Sequence, residues 1–204
     1  MDAKAIRDKF GDDFIATDLT FKMGMHHRFT AHIAERFQGG KVLETCTGAG
    51  FTTISLARLA SRVITVEINP SHQEQARQNI ARVGLTNKVT FISGDILDEN
   101  LLRALPPVDA AFLDPDWADA EPGHQYRFIN SNTIPPADAL LERIFRITKN
   151  VALVLPPEVD AREFSQLPEN ECEKLYLNGS HELYCLYFGD LIRRTGQTEF
   201  RVKT

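Results

Sequence analysis

Acidic side chains and glycines recur at the positions where strand-like runs of the chain end. Glu44 stands immediately before a turn at residues 45–52 that carries Gly48 and Gly50. Glu67 and Asp95 follow two later strand-like runs. Glycines let a backbone turn tightly and approach a ligand, and carboxylates attract cations and accept hydrogen bonds. The pattern predicts a site for a ligand that is cationic and carries hydroxyl groups.

S-adenosyl-L-methionine (SAM) combines these properties, because it carries a sulfonium, an α-ammonium group and ribose hydroxyls. Glu44 would attract the two cations, whereas it would repel a pyrophosphate. Glu67 would accept hydrogen bonds from the ribose, as acids at this strand end do in nucleotide-binding sheets. Thr53 stands where a third glycine would complete the dinucleotide fingerprint, which counts against a nicotinamide dehydrogenase. The pattern therefore predicts SAM as the cofactor, with Ile68 and Asp95 beside the adenine.

A second cluster, Asp114-Pro115-Asp116-Trp117, follows the fourth strand-like run. The Asp114 carboxylate and the Pro115 carbonyl can accept both N–H bonds of an aromatic amine, which exposes its lone pair for methylation. Trp117, the one tryptophan of the chain, can stack on a planar base, an interaction worth ~1–3 kcal/mol. The tetrapeptide resembles the D/N/S-P-P-Y/F/W motif of methyltransferases that modify exocyclic or amide nitrogens. This resemblance makes Asp114, Pro115 and Trp117 the predicted catalytic set for N-methylation. The alternative is a β-turn with a buried tryptophan.

The elements that must position these residues alternate between strand and helix. The predicted strands are KVLETC, VITVEI, KVTFIS, VDAAFLD and VALVLP, followed by CEKLYL and ELYCLYFG around the turn signal Asn178-Gly179. This order predicts an α/β fold, a Rossmann-like class I methyltransferase sheet, mostly parallel with a C-terminal antiparallel hairpin. The site acids would then share one edge of the sheet. Residues 1–38 are predicted to form an N-terminal helical arm and residues 39–204 the catalytic domain.

Composition supports one folded domain, since 43% of the 204 residues are hydrophobic. The net charge of -5 disfavours general coating of nucleic acid but leaves room for a local basic face. The three cysteines form no CxxC pair, and His26, His27 and His32 are poorly spaced for one helical face, so no metal is predicted. Reduced cysteines and the lack of a signal peptide or membrane-length apolar run predict a cytoplasmic protein.

Assembled, these motifs resemble the trimethylguanosine synthase family, the RNA cap guanine-N2 methyltransferases. The resemblance covers about residues 20–194. Its more specific parts are the Pro115-x-Trp117 corner, the segment 147–150 with Leu155-Pro156, Leu177-Asn178, and the run Tyr187-Phe188-Gly189-Asp190-Leu191-Ile192. The stretch around Phe29-Thr30 resembles the segment that closes over the cofactor in this family. In the family's corner, proline stands where this chain has Asp116.

The resemblance implies SAM as methyl donor and a guanine-like base stacked on Trp117, with Asp114 and Pro115 at the target amine. The short arm looks prokaryotic, so an acceptor other than a trimethylguanosine cap is expected. The predicted partner is a nucleobase-containing substrate, with RNA as the leading candidate, and no membrane. The predicted cofactor-binding residues are Thr30, Glu44, Cys46, Gly48, Gly50, Glu67, Ile68, Asp95, Ile96 and Asp114.

Two alternatives remain open at this point. The same cofactor site could serve methylation of a small molecule or a protein, which Asp116 and the acidic composition favour. A non-catalytic SAM-binding or RNA-binding module is the other. Basic residues of the arm and of the loop after Trp117 could also form a phosphate-binding rim: Lys22, His26, His27, Arg28, His32, Arg36, His124 and Arg127.

Overall fold

The computed structural model describes residues 2–117 and 124–204, and the chain forms two compact units, Met1–Asp109 and Ala110–Thr204. The first unit opens with three short helices, α1 (Ala3–Phe10), α2 (Asp18–Met23) and α3 (His27–Ala34), and a 3-10 turn at Glu35–Phe37. Thr17 caps α2 with a capping box. Its side chain accepts from the Thr20 N–H, and the Thr20 hydroxyl oxygen accepts from the Thr17 N–H. Residues 2–38 are thus largely helical.

The rest of the first unit alternates strands and helices. They are β1 (Lys41–Thr45), α4 (Phe51–Leu59), β2 (Arg62–Glu67), α5 (Pro70–Arg82), a 3-10 turn at Thr86–Lys88, β3 (Val89–Ser93) and α6 (Glu99–Ala104). The strands are parallel, as predicted, and lie in the order β3-β2-β1. Asn69 followed by Pro70 predicts the start of a helix, and α5 begins there. The Asn69 side chain accepts from Ser71 N, and Pro70 occupies the first helical position.

The second unit contains β4 (Ala110–Leu113), α7 (Ala137–Ile144), β5 (Val151–Leu155), a 3-10 helix at Ala161–Gln166, β6 (Asn170–Leu177), β7 (Ser180–Phe188), a 3-10 turn at Gly189–Leu191 and β8 (Gly196–Val202). Its strands run in the order β4-β5-β7-β6-β8. β4 and β5 are parallel, whereas β7 is antiparallel to both β5 and β6. The predicted hairpin is confirmed, since Asn178 and Gly179 both take the positive φ that a tight hairpin turn needs. An α/β fold with a mostly parallel sheet and an antiparallel hairpin is therefore confirmed.

Two details differ from the sequence-based expectation. β8, which pairs in parallel with β6, is an additional strand that its mostly exposed, polar sequence did not signal. The sequence PPADALLERIFRITK predicts a helix over residues 135–149, whereas α7 spans only Ala137–Ile144. The sequence also predicts a loop over residues 118–134, and this loop lies partly outside the described residues. The division into a helical arm and a catalytic domain stays a prediction.

Within residues 2–117 and 124–204, no helix is long and apolar enough to cross a membrane.

Candidate active site

The glycine turn after β1 holds its shape through left-handed backbone conformations. Cys46, Gly48 and Gly50 have φ values of 61°, 54° and 81°. Gly50 starts α4, and a Cβ placed on it would lie 3.0 Å from the Cβ of Ala76. A Cβ on Gly48 would meet nothing within 4 Å. Gly50 is therefore required for packing, whereas Gly48 borders open space.

Glu67 links the carboxyl ends of the three strands of this unit. One carboxylate oxygen accepts a 2.8 Å hydrogen bond from the Gly48 N–H, and the other accepts one from the Asn69 N–H. The Glu67 carbonyl accepts from the Gly94 N–H at 3.0 Å. Glu67 thus contacts Gly48 through its side chain and Gly94, the neighbour of Asp95, through its main chain. This arrangement is expected for acids at one edge of a parallel sheet.

Glu44 is a fully buried acid at the end of β1. It is 1% exposed, and the Thr53 hydroxyl donates to its Oε2 at 2.6 Å. Burial raises the pKa of Glu44 from 4.5 to about 7, against the opposing hydrogen bonds of Thr53 and Thr65, and the charge of Glu67 raises it further. Thr53 is thus a hydrogen-bond partner of Glu44. In the sequence pattern it was noted only because it stands where a third glycine would complete the dinucleotide fingerprint.

If Glu44 contacts the cofactor as the sequence predicts, its raised pKa makes SAM binding sensitive to pH. In the folded protein the Glu44 carboxyl stays protonated up to about pH 7, whereas in the unfolded chain it ionises near pH 4.5. The stability that this difference in pKa contributes is present below pH 4.5 and is lost as the pH rises through about 7. A cationic ligand binds the ionised form. We expect SAM affinity to rise about tenfold between about pH 6 and about pH 8, and Glu44→Gln to flatten this rise. Calorimetric titration at both pH values checks it; equal pH profiles would contradict it.

The other predicted cofactor residues differ in their placement. Asp95 is exposed and accepts from the Leu97 N–H at 2.8 Å, while Ile68 is 68% exposed and Ile96 is buried. Thr30 is not at the glycine turn. Its hydroxyl pairs with the Ser55 hydroxyl at 2.7 Å, beside a cavity of about 100 Å³ that the arm and α4 line. A cofactor role for each of these residues remains a prediction.

Asn79 of α5 supports the glycine turn and was not singled out by the sequence pattern. It is 0% exposed, and its Nδ2 donates to the carbonyls of Ala49 and Ile15, both at 2.9 Å. Its Oδ1 accepts from the Ile15 N–H at 2.7 Å. An asparagine among the apolar positions of a helix was the available signal, because buried amides need partners. Asn79 ties the turn to the arm.

Replacing Asn79 with alanine should lower the free energy of unfolding by about 1–3 kcal/mol, because Ile15 and Ala49 lose buried partners. Denaturant unfolding measures this loss. Gln78→Ala is the matched control, since Gln78 directly precedes Asn79 on the same helix, is exposed, and donates to the exposed Glu74. Equal loss of stability in both variants would contradict the role of Asn79.

The Asp114-Pro115-Asp116-Trp117 corner lies at the end of β4 in the second unit. Trp117 is partly exposed, so the alternative of a fully buried tryptophan is not what the structure shows. The Tyr126 hydroxyl donates to the Trp117 carbonyl, and the two rings meet edge to face with centroids 6.4 Å apart. The corner therefore contains a partly exposed tryptophan that Tyr126 contacts through both its hydroxyl and its ring.

Two of the family-like segments contact each other in this unit. The Asn150 Oδ1 accepts from the Asp190 N–H at 2.9 Å. Gly189 has a φ of 62°, and a Cβ there would lie 2.7 Å from the Lys149 carbonyl oxygen. This close approach explains why glycine stands in the run 187–192.

The proposed basic rim is weakened at His26. Burial, followed by the charges of His27, Arg28 and Lys9, lowers the pKa of His26 to about 4, and its Nδ1 accepts from the Arg28 N–H. His26 is therefore neutral at physiological pH and cannot attract a phosphate by charge. Within residues 2–117 and 124–204, no group of three or more potential ligands is placed to hold a metal ion.

The family match and the fold together place the chain in the class of SAM-dependent methyltransferases, whose methyl donor is S-adenosyl-L-methionine. Comparison with known families places the chain more closely. Residues 39–191, more than half of the chain, match the family described as RNA cap guanine-N2 methyltransferase. The chain belongs to this family.

Individual relatives carry several methyltransferase names. A catechol O-methyltransferase of Mycobacterium tuberculosis is 40% identical over 92 residues, which cover 44% of this chain and 42% of the relative. A 23S rRNA (uracil-C(5))-methyltransferase of Shewanella is 37% identical over 83 residues, which cover 40% of this chain and 18% of the relative. The chain spans less than half the length of these curated relatives.

Solved structures share the fold over most of the chain. A candidate methyltransferase from Porphyromonas gingivalis W83 has a TM-score of 0.73 at 18% identity, covering 94% of this chain and 48% of that one. The O-methyltransferase TomG from Streptomyces achromogenes, solved with SAM, has a TM-score of 0.57 at 18% identity, covering 91% of this chain and 86% of that one. At this identity the likeness shows the fold.

The residues around the glycine turn fit SAM. Gly48 borders open space that a close-lying ligand needs, and Glu67 stands at the end of β2 beside it. A neighbouring sulfonium or ammonium group would offset the burial that raises the pKa of Glu44. The carboxylates of Glu44 and Glu67 would repel a pyrophosphate, so this turn disfavours a dinucleotide.

Proposed function

We propose that this protein transfers a methyl group from SAM to an exocyclic amine of a nucleobase, with a guanine N2-like amine in RNA as the acceptor. The observation that carries the proposal is the Asp114-Pro115-Asp116-Trp117 corner at the end of β4, with Trp117 partly exposed and supported by Tyr126. The family match over residues 39–191 supports guanine as the base.

Each corner residue has a separate task in this proposal. The Asp114 carboxylate and the Pro115 carbonyl accept the two N–H bonds of the amine, which keeps its lone pair available. Trp117 stacks on the base and fixes its plane. SAM supplies an electrophilic methyl group on a sulfonium, so the protein's main contribution is positioning, which can supply much of the acceleration.

The cofactor would be held mainly by residues of the first unit. Glu44 would face the cationic groups, Glu67 would accept from the ribose hydroxyls, and Gly48 would let the backbone approach. The adenine would lie near Ile68 and Asp95. Cytoplasmic location is proposed with this function, because cysteine thiols persist in a reducing compartment.

Methylation of a small molecule is the second candidate function. The 40% identity to a catechol O-methyltransferase over 92 residues favours it. The two carboxylates of the corner would also suit an acceptor without phosphates, because Asp114 and Asp116 repel anions.

Transfer of labelled methyl from SAM to total RNA, DNA, catechol and a small-molecule extract separates these functions. Label recovered in guanine of RNA supports the first function, and label confined to catechol or the extract supports the second. A chain that binds SAM by calorimetry but labels none of the four acceptors would contradict both.

A further inference from the structure

We propose that Asp116 is a positioning residue of the acceptor corner, because its main chain pins residues 124–134 against Trp117. This inference rests on the proposed function, since the corner is taken to receive the acceptor. Residues 124–134 are called the acceptor segment below. The pinning would hold Trp117 in one orientation before an acceptor arrives and so favour flat acceptors that can stack on it.

Asp116 and Ile134 form an isolated antiparallel bridge. The Asp116 N–H donates to the Ile134 carbonyl at 2.7 Å, and the Ile134 N–H donates to the Asp116 carbonyl at 2.9 Å. One residue further along, the Trp117 carbonyl accepts from the Tyr126 hydroxyl. The acceptor segment is thus bonded to the main chain at two successive residues of the corner.

The acceptor segment is itself well tied together. Asn132 accepts from the Arg127 N–H at 3.0 Å, donates to the Gln125 carbonyl at 3.1 Å, and lies 2.7 Å from the His124 Nε2. The His124 ring meets the Tyr126 ring edge to face at 4.7 Å. Tyr126 therefore packs on His124, which Asn132 contacts in turn. These contacts support Tyr126 where it bonds to Trp117.

The segment is also anchored away from the corner. One oxygen of Glu163 accepts from the Phe128 N–H at 2.6 Å and from the Ile129 N–H at 2.9 Å. The Phe128 ring packs edge to face on Phe164, which packs in the same way on Tyr184 of β7. These contacts connect the acceptor segment to the sheet of the second unit. The bridge at Asp116 therefore joins the corner to a segment that is anchored on this sheet.

The bridge depends on a donor that proline does not have. Proline carries no N–H, so a proline at this position could not donate the bond to Ile134. In this chain Asp116 supplies the N–H of the 2.7 Å bond. Asp116→Pro would therefore remove this attachment of the acceptor segment, besides removing a charge.

The bridge also shapes the surface that an acceptor meets. In an antiparallel pair that exchanges both hydrogen bonds, opposite side chains lie on the same face. Ile134 is 74% exposed, and Asp116 opposite it is partly exposed. An apolar side chain therefore lies next to a carboxylate, a combination that suits a base with N–H donors better than a phosphate group.

Trp117 is the one tryptophan of the chain, so its fluorescence reports on the corner alone. Acrylamide quenching and fluorescence anisotropy would be measured for wild type, Asp116→Pro and the matched control Asp116→Asn, which keeps the N–H and loses the charge. The acceptor KM and the kcat of methyl transfer would be measured with guanosine monophosphate and with total RNA. SAM affinity serves as a check that each variant is folded.

Asp116→Pro should raise acrylamide quenching of Trp117 about twofold and the acceptor KM about fivefold, as expected for one hydrogen bond of ordinary strength, while Asp116→Asn keeps the quenching of wild type. Quenching by acrylamide that is the same in wild type and Asp116→Pro would overturn the proposal. If Asp116→Pro does not bind SAM, Tyr126→Phe decides, because it removes only the hydroxyl that bonds Trp117: raised quenching supports the proposal and unchanged quenching overturns it. A wild type that methylates no acceptor, with the quenching as expected, would refute the proposed function and leave the positioning role intact.

Discussion

Asp114→Ala should lower kcat for methyl transfer by about 10²–10³-fold, the usual loss when a group that stabilises the transition state is removed. Asp114 follows β4 directly, and in the proposed function it accepts an N–H of the acceptor amine. Without that acceptor oxygen, the amine lone pair stays delocalised and the attack on the methyl group slows. Single-turnover assays with saturating SAM measure the chemical step. SAM affinity measured beside them separates loss of chemistry from loss of the cofactor.

Asp114→Asn is the matched variant for this experiment. It keeps the shape and one acceptor oxygen, so kcat should fall less than in Asp114→Ala. A wild-type kcat in both variants would show that Asp114 does not contact the acceptor. A large fall in SAM affinity with an unchanged chemical step would instead limit Asp114 to the cofactor, which is the other role expected from its position.

Gly50→Ala is expected to lower the free energy of unfolding by about 2–4 kcal/mol, the combined cost of a left-handed alanine and an overpacked contact. Gly50 has a φ of 81°, and its added Cβ would lie 3.0 Å from Ala76 Cβ and 3.1 Å from Ala76 Cα. Ala76 is fully buried on α5, so the contact cannot relax into solvent. Thermal or denaturant unfolding measures the loss of stability.

Gly48→Ala provides the control for Gly50→Ala. Gly48 also has a positive φ, of 54°, but its Cβ would point into open space. The stability cost should be limited to the backbone term of about 1–2 kcal/mol, while SAM affinity falls because the methyl group occupies space beside the turn. Equal stability losses in the two variants would contradict the packing role of Gly50.

Much of the first unit follows from local sequence signals. Strands β1 to β3 were predictable from short apolar runs, and the start of α5 from Asn69 before Pro70. The glycine turn was recognisable because a left-handed backbone requires glycine at Gly50 whatever the ligand. In the second unit, the hairpin turn at Asn178-Gly179 was equally local. These signals are reliable because each one depends on a few neighbouring residues.

Other features depend on residues far apart in the chain. β8 is polar and mostly exposed, and it pairs with β6 where the buried Glu171 accepts from the N–H groups of Arg193 and Arg194 and from the Thr198 hydroxyl. No local pattern marks Glu171 as such a partner. The Thr53 bond to Glu44 is likewise invisible until α4 packs beside β1.

The sequence by itself determined the class of fold, the family resemblance and the residue types of the candidate site, because strands, turns and motifs are set by near neighbours. The tertiary structure decided which groups meet: Glu67 with Gly48, Asn79 with the arm, and Asp116 with Ile134. It also decided the charge states of Glu44 and His26, since burial, and not residue type, shifts their pKa values to about 7 and about 4. The physical reason is that desolvation and hydrogen-bond partners depend on distance in space, which the order of residues does not specify.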